Sequence, residues 1–120
     1  MIRAIYFPDT AFFERHQTPG SFRLEAHAPV IHQSSNYDRG VDGWRLKGQP
    51  SVPGLFDFIY FCPCGCGREG ELLIAREFKP GGDRPSWRWN GSRTEPTLDP
   101  SVNHVGHWHG WLRNGYWEDC

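Results

Sequence analysis

Leu55-Phe-Asp-Phe-Ile-Tyr-Phe61 runs directly into Cys62-Pro-Cys-Gly-Cys-Gly67, and Glu71-Leu-Leu-Ile-Ala-Arg-Glu-Phe78 follows shortly after. The first seven residues are apolar on both faces except at Asp57, which suits a central strand of a small sheet. Pro63, Gly65 and Gly67 force a tight turn around the three cysteines. The segment from Glu71 to Phe78 then reads as a strand returning from that turn, so the cysteine loop becomes the tip of a hairpin.

Outward from this hairpin the pattern stays β and loop. Pro or Gly recurs every few residues, and no window shows sustained apolar spacing of three and four. Met1 to Phe7 reads as a first strand ended by Pro8, and Asp9 or Thr10 can cap a short helical turn through Ala11 to His16. Thr18 to Pro53 reads as extended pieces joined by loops. Ser86 to Asn90 alternates Trp87 and Trp89 on one strand face. Near the end of the sequence, Asn114-Gly115 sits between two aromatic-rich runs, and type I′ hairpin turns favour this pair because both positions need positive φ. The expected fold is mainly β with long loops, a compact single domain of short antiparallel hairpins stapled by a zinc site. A small α+β arrangement is its variant. Within residues 1–120, a loop-rich N-terminal part (1–53) precedes a zinc-binding β part (54–120).

Composition explains why a staple is expected. The 120 residues include 18 aromatics, 14 Gly and 10 Pro but only 17 Ile, Leu and Val, so the core is small and aromatic. Thirteen Lys and Arg against fourteen Asp and Glu give a formal charge of −1, which removes any global electrostatic reason to coat nucleic acid or an anionic membrane. No stretch approaches the roughly 18 apolar residues of a spanning helix, and Met1 to Thr10 lacks the features of a signal peptide. A cytoplasmic protein is expected, in the host cytoplasm if phage-encoded.

Cys62, Cys64 and Cys66 lie within five residues. Thiolates suit a borderline-soft ion, and a tetrahedral zinc site can be filled by such a loop plus ligands from a second element. His107 and His109 provide that element, since residues two apart in a strand point to the same side. His104 lies close by. Two ligand sets remain open: all three cysteines with one histidine, or Cys62 with Cys66 or Cys64 and two histidines. Cys120 is a further thiol that an antiparallel terminal hairpin can return to this region. Disulfides are disfavoured by the strained ring that cysteines one residue apart would close, and by a reducing compartment. Neither the deaminase signature nor H-E-x-x-H is present, so the metal reads as structural.

The order F-x-C-P-C-G-C-G, a Trp-containing segment, P-T-L-D-P-S-V and H-W-H-G-W-L-R-N-G-Y-W resembles a family of small, uncharacterised Cys/His proteins of bacteria and their phages. Members are predicted metal binders, and some sit near ubiquitin-like conjugation genes. The resemblance covers Phe61 to Cys120. It implies that Cys62, Cys64, Cys66 and His109 are metal positions. Where relatives carry a Cys shortly before the His, this chain has Gly106 and His107.

The expected function is therefore a small zinc-binding, protein-binding module, a phage or mobile-element accessory factor that engages host machinery. Its partner surface is drawn from Trp108, Trp111, Arg113 and Trp117, with Trp87 and Trp89. The alternatives are a zinc-dependent hydrolase with an open coordination position and a single-stranded nucleic-acid binder that stacks bases on Trp87 and Trp89 beside their Arg neighbours.

Overall fold

The structure, a computed structural model, describes residues 1–26, 37–40, 43–46, 55–77, 79 and 85–119. The described strands form two sheets. The smaller has the order β1 (Ile2–Arg3), β11 (Tyr116–Asp119), β10 (Trp108–Arg113), β9 (Val102–His104). The larger runs β3 (Tyr37–Gly40), β4 (Gly43–Leu46), β5 (Leu55–Phe61), β6 (Glu69–Arg76), β7 (Ser86–Trp89), β8 (Leu98–Asp99), with β2 (Phe22–Ala26) also paired to β5. Among the described residues no helix is long and apolar enough to cross a membrane.

β5 is the strand expected from its apolar run, and it pairs with β6 over its whole length, from Leu55↔Ala75 to Phe61↔Glu69. β6 starts two residues earlier than its apolar run suggests. The reason is Gly70, which lies opposite Tyr60 and leaves room for the ring: a Cβ there would run into the phenol. The two strands enclose the cysteine loop, as expected.

The single described helix, α1 (Thr10–His16), begins where the sequence places it. Asp9 is extended and its carboxylate accepts the Phe12 amide proton, satisfying one of the unpaired N–H groups of the first turn. Arg15 and His16 in the last turn complement the helix dipole. Phe13 is fully buried, with its ring 4.6 Å from that of Phe61.

Two features differ from the expectation. β6 and β7 are parallel, with Leu73↔Ser86 to Arg76↔Trp89 in register, so the structure is not built from antiparallel hairpins alone. A parallel neighbour requires a crossover rather than a tight turn. The first strand is also shorter, reduced to Ile2–Arg3 plus an isolated bridge between Tyr6 and Phe22. Residues 27–36, 47–54 and 80–84, which the sequence reading assigned to loops and breaks, lie outside the described residues.

The sheets meet over an aromatic core. Phe22, Phe58, Tyr60, Ile74, Trp89, Leu112 and Trp117 are all buried in one cluster. Trp117 joins the layers: its ring lies 5.1 Å from Tyr60 and 6.2 Å from Phe58, and its indole N–H donates to the Gly20 carbonyl at 2.8 Å. The Asn114-Gly115 turn between β10 and β11 has positive φ at both residues, 50° and 86°, as the pair demands. Trp117→Ala should lower unfolding free energy by about 3–5 kcal/mol, the usual range for emptying a buried aromatic site. Trp111→Ala, on the outer face of β10, should lower it by less than half as much in the same denaturant titration.

Candidate active site and metal centre

β9 and β10 pair antiparallel, with Asn103 opposite His109 and Val102 opposite Gly110. Side chains alternate across each strand. Val102, Gly110 and Leu112 face the core, whereas Asn103, His109 and Arg113 face outward. Ser101 lies one residue before β9. Its hydroxyl meets the Nε2 of His109 at 3.3 Å, and its carbonyl accepts the indole N–H of Trp87 at 3.1 Å. Trp87 thus ties the serine's backbone to the larger sheet. Among the described residues no carboxylate is in hydrogen-bond contact with the His109 ring. A hydroxyl facing an imidazole nitrogen is the arrangement in which serine can be activated as a nucleophile.

The cysteines form the second centre. Gly65 and Gly67 both take positive φ, the Gly65 amide donates to the Cys62 carbonyl and the Cys62 amide to the Arg68 carbonyl. The folded loop brings the three sulfurs within 4.8 Å of one another, with Cys62 and Cys64 Sγ 3.2 Å apart. None of the three is in a disulfide. A tetrahedral ion with Zn–S near 2.3 Å needs sulfurs about 3.8 Å apart, so the loop requires only small adjustments to hold a metal ion. Burial pushes the Cys62 thiol up to about 12, reinforced by its sulfur neighbours. Cys66 is shifted the other way, chiefly because the Arg68 backbone N–H donates to its sulfur.

A family model described as a bacterial ubiquitination-like system serine protease (BubE) matches residues 54–120. The chain belongs to this family. No curated protein and no solved structure matches it. The matched region of this BubE-family chain contains Ser101, His109 and all three loop cysteines.

The family's serine chemistry was not legible beforehand. Ser101 carries no G-x-S-x-G elbow, and only the fold brings it to His109. His109, expected as a zinc ligand, turns its Nε2 to Ser101. Among the described residues the three cysteines form a cluster that could hold a metal ion. His109 lies on the outer face of β10, and the cysteines lie at the β5–β6 tip. His107 closes a turn by donating its amide to the His104 carbonyl, and its ring lies 5.2 Å from that of His104. Burial, with help from His107 and Arg68, lowers the pKa of His104. Cys120 lies outside the described residues.

The expected aromatic surface divides in two. Trp89 and Trp117 are buried, 0% and 2% exposed, which removes both from any partner surface and takes one stacking platform from the nucleic-acid reading. Trp108 packs edge-on against Trp117 and donates its indole N–H to the Asp119 carboxylate. Trp111 and Arg113 remain on the outer face beside Ser101 and His109. A cavity of about 540 Å³ is lined by Pro63 and Cys64 together with Trp108 and Asp119, so the cysteine loop faces the β10–β11 hairpin across it.

Metal binding to thiols displaces protons, and the buried Cys62 thiol keeps its proton at neutral pH until a cation replaces it. Titrating metal-free protein with zinc at pH 7.5 should therefore release about two to three protons per ion, measured calorimetrically in buffers of different ionisation enthalpy. Retention should weaken on acidification, as protons reclaim the sulfurs.

Proposed function

We propose that this chain is a serine protease of a bacterial ubiquitination-like system, with Ser101 as nucleophile and His109 as general base. The contact between Ser101 Oγ and His109 Nε2 carries this reading, and the family's description agrees with it. Ser101 Oγ attacks the carbonyl carbon of the scissile amide while His109 takes the hydroxyl proton. His109 then returns that proton to the departing amine, leaving an acyl-serine. Water, deprotonated by the same imidazole, attacks the ester and releases the acid, and the proton passes back to Ser101. The 3.3 Å separation is long for a hydrogen bond of this type, and such contacts tighten when substrate is bound.

In this proposal the cysteines hold a structural zinc ion. Three thiolates are the donor set of structural sites, whereas hydrolytic zinc mostly uses imidazole and carboxylate with one position for water. Cys62, Cys64 and Cys66 would hold the ion, which would fix the conformation of the β5–β6 tip. Protein binding, expected at the outset as the whole function, becomes recognition of the protein substrate.

A fluorophosphonate probe should label Ser101 in the native protein, as read by peptide mass analysis. Ser101→Ala should abolish labelling, and His109→Gln should slow it by about 10²–10⁴-fold, with circular dichroism unchanged in both. Labelling that survives Ser101→Ala would sink the assignment. His109→Gln should retain its zinc, whereas Cys62→Ser should lose both zinc and thermal stability.

A further inference from the structure

A groove of about 570 Å³ lies next to the reactive pair, lined by Glu77, Arg88, Asp99, Trp111 and Arg113 among others. Its position follows from strand geometry. His109, Trp111 and Arg113 are alternate residues of β10 and so share its outer face, and Asp99 is two residues from Ser101. At roughly 3.3 Å per residue, Trp111 stands about 7 Å along the strand from His109.

Arg113 is exposed, but its head group lies over a neighbouring ring. Its guanidinium carbon lies 4.5 Å from the centre of the Trp111 ring. A cation over the indole face is attracted there by the ring quadrupole and keeps N–H donors for a planar anion. Glu77 and Asp99 line the same groove, yet neither forms an ion pair with Arg113; among the described residues the only one joins Arg23 to Glu25. On the opposite wall Arg88 and Asp99 are cross-strand partners in the β7–β8 register, so that wall carries both signs of charge. Among the described residues the β10 wall presents a cation that has no ion-pair partner.

We propose that Arg113, held over the Trp111 ring, is a specificity determinant that receives the carboxylate of an Asp or Glu side chain in an extended peptide substrate. That residue lies about two or three positions from the bond that Ser101 attacks, given the rise of an extended chain. The inference rests on the reading of Ser101 and His109 as the reactive pair and deepens it by naming the substrate class. A bidentate Arg–carboxylate contact supplies both geometry and charge, and a neutral isostere leaves the Arg unpaired.

The test uses the full chain and alanine-based peptidyl diphenylphosphonates that differ only in Glu, Gln or Lys at the third residue from the phosphonate, with a plain fluorophosphonate as control. Wild-type protein should react about tenfold faster with the Glu probe than with the Gln probe. Arg113→Lys should keep only part of that ratio, since an ammonium lacks the planar fork, and Arg113→Glu should invert it in favour of Lys. Each variant is judged by the ratio of its own rates, so general loss of reactivity does not imitate the result. Equal rates for Glu and Gln in wild type, with Ser101 labelled by the plain probe, would overturn the subsite and leave the reactive pair intact. A Glu preference that persists in Arg113→Glu would also overturn it. Failure of the plain probe to modify Ser101 would remove the reactive pair itself, and the subsite with it.

Discussion

The Trp117 side chain is the contact on which the two sheets depend. Its indole is buried between Tyr60 and Phe58 of the larger sheet and Trp108 of its own, and its N–H reaches the Gly20 carbonyl across 97 residues of sequence. Gly20 takes positive φ, and a Cβ at that position would press on both Ile2 and the Trp117 ring. A chain with few aliphatic residues thus gets its cohesion from one large ring whose polar atom is satisfied. Everything on the outer face of β10 is held at its back by this packing.

Local chemistry was easy to read where one residue type has one physical use. Asp9 as a helix cap, the apolar run from Leu55 to Phe61, and Asn114-Gly115 as a hairpin turn all follow from short-range rules and all stand in the structure. The parallel pairing of β6 with β7 was not legible, because a crossover leaves no turn signature at either strand. Trp87 and Trp89 share a face and both pack against the core with Arg88 exposed between them, which fits simple alternation, yet how deeply each sinks depends on the partner layer.

The proposed reactive centre was the least legible part. A histidine beside a cysteine-rich sequence reads as a ligand, and His109 has the spacing for that role. The role proposed for it rests on the face of β10 it occupies and the hydroxyl it meets there. Both depend on the register of β9 against β10, which no local motif encodes. The loop that can hold a metal and the β10–β11 hairpin border one cavity, with Pro63 and Cys64 on one side and Trp108 and Asp119 on the other.

Ser101 and His109 are only eight residues apart and belong to one short hairpin, whereas the groove beside them is walled by residues from Glu77 to Asn114. Closing so short a loop has a small entropic cost, and local contacts form early and fast compared with distant pairings. In the proposed enzyme, reactivity and selectivity therefore have different origins. The reacting atoms are brought together by neighbours in sequence, and the walls that choose what reaches them require the whole fold.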